Sequence, residues 1–197
     1  MNHDFILTLF DVGAIQFGKF KKQSGTLAPF DLDLRVLVSH PDALREAART
    51  LVQTLNTLTF DRIAAIPYAA LPIGTAVAME MNRPLIYPRQ AKSDYGTERV
   101  IEGKFSPGET VVVIDDVIRT GKSKLEAIAV LGQARLKVRD VVVLIDHEQG
   151  GAEELVARRY NFLAVYKIHE VLQILKNAGK ISTEQFEESL SFVAEGK

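Results

Sequence analysis

Four β-branched residues in a row, Val111-Val112-Val113-Ile114, leave few folds open to this chain. An uninterrupted apolar run of that kind suits a central parallel strand covered on both faces, not a strand with one wet side. In open parallel sheets the residues after such a strand lie in the crevice at the carboxyl edge, where ligands bind. The run continues as Asp115-Asp116-Val117-Ile118-Arg119-Thr120-Gly121-Lys122-Ser123. Both carboxylates are therefore expected to emerge at a binding edge, ahead of a hydroxyl-rich bend that opens a helix.

That bend suits a phosphate. Thr120 to Ser123 offers hydroxyl donors and several backbone N–H groups at the positive end of the next helix, and Gly121 lets the backbone come close. Two carboxylates would repel the phosphate itself. They match neutral diols, Mg²⁺ or positive charge that develops during a reaction, and a sugar phosphate satisfies both halves. A nucleotide P-loop is excluded although Gly121-Lys122-Ser123 imitates its last three residues, because its first glycine would fall at Asp116. A plain solvated strand end accounts for Asp116 alone but not for the whole run.

Further strands are expected at residues 62–66, 84–87, 138–145 and 162–166, with helical stretches at 75–81, 125–131, 153–159 and 171–176. Alternating strands and helices imply right-handed crossovers and an α/β fold, a parallel twisted sheet flanked by helices. Residues 5–17 have helical spacing. Residues 26–38 read as extended, since Leu32, Leu34, Val36 and Val38 alternate with other side chains. Ser39 and Pro41 start a helix running to about Leu58. A last amphipathic helix carries Phe186, Leu190 and Val193 on one face behind a Ser182/Gln185 capping box, a stripe more typical of core than of interface.

At 197 residues the chain reads as one domain, residues 1–197, able to bury its core without staples. It has no cysteine, which excludes disulfides and zinc–thiolate sites and agrees with a cytoplasmic location. With 24 basic and 25 acidic residues it offers no global attraction to nucleic acid or an anionic membrane, so any phosphate site is local. No apolar stretch approaches the length of a membrane span, and no basic signal-peptide region precedes Phe5.

With these residues in view, Val111 to Ser123 resembles the signature of the phosphoribosyltransferases. In that family the two acids hold the ribose hydroxyls of phosphoribosyl pyrophosphate and the loop binds its 5′-phosphate. The resemblance assigns those roles to Asp115 and Asp116 and to Arg119, Thr120, Gly121, Lys122 and Ser123. Other runs are similar to orotate phosphoribosyltransferases, in particular to the domain found in bifunctional UMP synthase. Tyr68, Ala69 and Ala70 match the pyrophosphate loop. Asp94-Tyr95-Gly96-Thr97 with Arg99 and Glu102-Gly103 match a catalytic hood, and Asp146 to Gly151 and the stretch from Phe20 to Arg35 match as well. The likeness spans nearly all of residues 10 to 175.

It implies a type I phosphoribosyltransferase fold with a small hood built from the amino-terminal segment and residues 90–104. It also implies Mg²⁺, a homodimer and orotate as acceptor, and it leaves open whether an orotidine 5′-phosphate decarboxylase partner exists. Departures are informative. The family's lysines before Ser-Gly and in the hood, and its arginine after the late-strand Asp, are here Gln23, Gln90, Ser93 and His147. Losing such cations weakens stabilisation of transition-state charge. Lys22, Lys92, Arg89 and Arg99 stand next to or near the gaps, and His147 is expected to bind a carboxylate. Lys92, Tyr95 and Arg99 are the expected hood contacts. Two alternatives remain open: a binding or regulatory protein that keeps the phosphoribosyl pyrophosphate pocket without catalysis, or an enzyme acting on another base.

Overall fold

The computed structural model describes residues 3–21, 25–89 and 100–196. Helix α1 (His3–Asp11) leads into a two-stranded antiparallel ribbon, β1 (Ile15–Lys21) and β2 (Leu27–Leu32), followed by a 3₁₀ turn at Leu34–Ser39. Then come α2 (Pro41–Leu55), β3 (Arg62–Ala65), α3 (Ala70–Met81), β4 (Leu85–Pro88), β5 (Ile101–Glu102), β6 (Thr110–Ile118) and α4 (Lys122–Gln133). The order closes with β7 (Lys137–Asp146), α5 (Gly151–Ala157), β8 (Asn161–Lys167), α6 (Ile168–Asn177) and α7 (Thr183–Glu195).

Six strands form the main sheet in the order β5-β4-β3-β6-β7-β8, parallel except for the short β5 against β4. Strands β6 and β7 each have a parallel neighbour on both sides, and Val111 to Ile114 and Val141 to Ile145 are fully buried, as their unbroken apolar runs require. Side chains alternate across the sheet. Val112 and Ile114 join the larger core under α1, α2, α3 and α6, whereas Val111 and Val113 join the core beneath α4 and α5. The result is the three-layer α/β sandwich expected from the sequence.

Two expectations need correction. Helical spacing from residue 5 to 17 covers two elements: α1 ends at Asp11, and Gly13, at φ +77°, turns the chain into β1. Likewise the extended reading of residues 26–38 holds only to Leu32. Asp33 then caps a 3₁₀ turn, its carboxylate accepting the Arg35 backbone N–H at 3.1 Å. A local side-chain cap here overrides alternation. The closing helix behaves as expected. Ser182 Oγ accepts the Gln185 N–H at 3.1 Å, the Gln185 side chain returns the bond at 2.9 Å, and α7 packs on β2 and α6.

Candidate functional site

Strand order reverses between β3 and β6: the chain proceeds outward to β4 on one side and to β7 and β8 on the other. Such a switch point opens a crevice at the carboxyl ends of the two strands. A cavity of about 720 Å³ occupies it. The loop after β3 contributes Tyr68 and Ala69, the end of β6 and the start of α4 contribute Asp116, Val117, Arg119 through Lys124 and Glu126, and the ribbon side contributes Leu32, Asp33 and Arg35. The Pro67–Tyr68 peptide bond is cis, and Tyr68 is 70% exposed at the rim. Ala70 is fully buried as the first residue of α3, behind the loop.

The two acids do not share the cavity. β6 runs on to Ile118, with Asp115 opposite Val143 and Val117 opposite Ile145. Adjacent residues of a strand face opposite sides of the sheet, so only Asp116 lines the cavity. Asp115 is 5% exposed on the α4 side and pairs with Lys124, Oδ2 to Nζ, at 2.6 Å. Its other oxygen accepts the Asp116 backbone N–H at 2.9 Å. Burial pushes the Asp115 carboxyl above the usual carboxylate range, the Lys124 charge opposes that shift, and the Asp116 charge adds to it. The expectation that both acids emerge at the edge is thus corrected by the strand's pleat.

Between them, Arg119, Thr120, Gly121, Lys122 and Ser123 form the wall opposite Tyr68 and Ala69. Gly121 precedes α4 at φ +80°, a conformation that suits glycine. The Leu125 N–H bonds the Gly121 carbonyl at 3.1 Å, so the N–H groups of Lys122 to Lys124 come before the helical ladder begins. With the helix dipole they form a cradle whose electrostatics suit an anion.

On the ribbon side Arg35 grips Asp33 through Nε and Nη2, at 2.6 and 2.9 Å, which holds the Asp33 carboxyl below its usual range. Arg119 Nη2 lies 3.7 Å from Asp31 Oδ1, linking the cradle to β2. His147, expected at a carboxylate, is 2% exposed and stacks on Phe30 with ring centroids 5.2 Å apart. It does not line the cavity: its ring is buried against Phe30, while its backbone N–H bonds the Ile118 carbonyl at 2.9 Å. Arg89 also lies outside the cavity wall and pairs with Glu102 at 3.5 Å. Lys22, Gln23, Lys92, Tyr95 and Arg99 fall outside the described residues.

Sequence reasoning missed Lys124, Asp33 and Arg35 as wall residues. For Lys124 a signal existed. Residues 124, 127, 128 and 131 form the buried stripe of α4, so a lysine stands in an apolar register. Among the described residues no three His, Cys, Asp or Glu side chains cluster to hold a metal by themselves, and no helix is long and apolar enough to cross a membrane.

Residues 36–163 match the family model of the phosphoribosyl transferase domain. Over 184 residues the chain is 44% identical to the bifunctional enzyme PyrF/PyrE of Nostoc sp., an alignment that covers 93% of this chain and 39% of that protein. It is 32% identical over 193 residues to the orotate phosphoribosyltransferase of Caenorhabditis elegans, which covers 97% of this chain and 85% of that one. The structure of UMP synthase from Leishmania donovani superposes with a TM-score of 0.90 at 38% identity, covering 98% of this chain and 42% of that one. The chain therefore spans about two fifths of the length of the Nostoc and Leishmania proteins.

Proposed function

Because the chain belongs to the phosphoribosyl transferase domain family, we propose that it transfers the phosphoribosyl group of phosphoribosyl pyrophosphate to orotate. The products are orotidine 5′-phosphate and pyrophosphate, a step of pyrimidine biosynthesis. One observation carries the reading: a hydroxyl- and amide-rich cradle at the start of α4 and the Asp116 carboxylate face the same cavity. A phosphate and a ribose diol require those two features side by side.

In this reading Thr120 to Ser123 anchor the 5′-phosphate and Asp116 accepts hydrogen bonds from the ribose hydroxyls. The Tyr68–Ala69 loop approaches the pyrophosphate. As pyrophosphate leaves, positive charge spreads over the ribose and a ring nitrogen of orotate captures the anomeric carbon, so the protein contributes positioning and electrostatics. Asp116 is well sited to favour that charge. Lys92, Tyr95 and Arg99 belong to the proposal as hood contacts.

The donor set fits Mg²⁺ that travels with the substrate, since among the cavity acids Asp33 is gripped by Arg35 and Glu126 lies 3.9 Å from Lys122, which leaves Asp116 as the acid to face the metal. Bound Mg²⁺ would offset the charge of the departing pyrophosphate. A homodimer, a cytoplasmic setting and an orotidine 5′-phosphate decarboxylase, linked or associated, complete the reading.

Calorimetry with phosphoribosyl pyrophosphate and Mg²⁺, paired with an orotate-depletion assay, tests it. Binding with turnover is expected, and absence of both would overturn it. The burial of His147 against Phe30 favours one second reading, a base without a carboxylate. Turnover with such a base, and none with orotate, would select that reading.

A further inference from the structure

Lys124 stands where an amphipathic helix normally carries an apolar side chain, in line with Ala127, Ile128 and Leu131. It is 5% exposed, as is Asp115. Its ammonium reaches Asp115 Oδ2 at 2.6 Å, the Val117 carbonyl at 2.5 Å and Ser123 Oγ at 3.4 Å. Three donors thus meet three acceptors on the two segments that build the cavity floor. An ammonium at that depth costs stability unless it is paired and hydrogen-bonded, and a well-packed apolar residue often serves folding as well or better. Packing alone therefore gives no reason for a lysine here.

What the lysine does is visible in its partner. Asp115 spends one oxygen on Lys124 and the other on the Asp116 N–H, 2.9 Å away. The Lys124 charge offsets that of Asp115, so of the two adjacent acids of β6 only Asp116 faces an anionic ligand, beside Asp33 and Glu126 of the wall, and less repulsion opposes its phosphates.

We propose that Lys124 is a positioning residue for sugar binding: it anchors Asp115 beneath the cavity floor, and Asp115 fixes the Asp116 backbone so that Asp116 alone of the two acids meets the ribose hydroxyls. The inference rests on the phosphoribosyl pyrophosphate reading of the same cavity.

Steady-state kinetics of the full chain, its Lys124→Met and Asp115→Asn variants and the double variant test it. Lys124→Met is expected to raise KM for phosphoribosyl pyrophosphate about tenfold, since a charge-assisted contact is lost, while KM for orotate stays within about twofold. The charged groups acting on Asp115 are Lys124 from α4 and Asp116 from its own strand. Without the lysine, Asp115 holds its proton to higher pH, so the acid limb of kcat/KM for phosphoribosyl pyrophosphate moves upward. A merely structural lysine would lower the active fraction, and with it kcat, but would move neither KM nor the limb.

Because Lys124 acts through Asp115, the double variant is expected to match Asp115→Asn. If Lys124→Met fails to fold, the double variant, which leaves no buried charge unpaired, carries the comparison. Equal KM in the double and Asp115→Asn variants, both raised over the unaltered chain, supports the role. A further rise in the double, or an unaltered KM throughout, overturns it. Failure of the unaltered chain to bind or turn over phosphoribosyl pyrophosphate would remove the site reading itself, and this role with it. Normal turnover with indifferent variants would remove only the role of Lys124.

Discussion

Gly151 donates its backbone N–H to the Arg119 carbonyl across 2.8 Å, which joins the loop after β7 to the cradle after β6. The approach is so close that a Cβ on Gly151 would lie 2.5 Å from that carbonyl oxygen and 2.9 Å from the Gly121 nitrogen. The shape of the cradle therefore depends on a glycine that does not itself line the cavity.

Gly151→Ala is expected to push the cradle out of place, lowering stability by about 1–3 kcal/mol and raising KM for phosphoribosyl pyrophosphate. Urea unfolding and steady-state kinetics check this. Unchanged values in both would mean that the loops separate freely.

Asp116→Asn keeps the shape of the cavity acid and removes its charge. Affinity for phosphoribosyl pyrophosphate is expected to fall roughly tenfold or more, with the melting temperature nearly unaltered because the side chain is partly exposed. Calorimetry that found the same affinity would count against Asp116 as the ribose contact.

Glu109 supplies a pH test remote from the cavity. It forms a two-pronged pair with Arg62, one contact at 2.7 Å, and accepts the Ser106 N–H at 2.8 Å. Arg62 first, and Ser106 second, lower its carboxyl from the ordinary 4.5 to about 2. For a depressed acid the stabilisation is complete above the unfolded value and disappears as pH falls through the folded one. Glu109→Gln should therefore lower the urea midpoint at neutral pH, by an amount that shrinks steadily as pH falls from the unfolded value of 4.5 towards the folded value of about 2. An equal gap at neutral and acid pH would reject the pair as the cause.

His147→Ala should act on stability rather than on base affinity. Removing a buried ring stacked on Phe30 is expected to cost about 2–4 kcal/mol, read from chemical unfolding, while KM for orotate stays level. A raised orotate KM in a variant of normal stability would return His147 to the base site.

Much of this architecture could be read in advance because its strands are uniform. The β-branched runs of β6 and β7 announce burial on both faces, and the Ser182/Gln185 box marks the start of α7. The cradle was legible for a similar reason, since hydroxyls and Gly121 at a strand-to-helix junction have few other uses. What escaped depends on partners distant in sequence. β6 extends past its apolar run because β7 supplies Val143 and Ile145 as ladder partners, and that extension sends Asp115 and Asp116 to opposite sides. Lys124 gains a meaning only when Asp115 and the Val117 carbonyl arrive beside it. His147 is taken inward by Phe30, a residue 117 positions earlier in the chain.

Phe30 has a second neighbour, Phe192 of α7, which meets it edge-on with centroids 6.1 Å apart. Ribbon, late loop and closing helix thus meet in one group of rings, inside the same core as Ile114 and Val142 of the central strands. Cleavage within α7 would therefore take Phe192 away from the ribbon and from the core that the ribbon shares with the sheet.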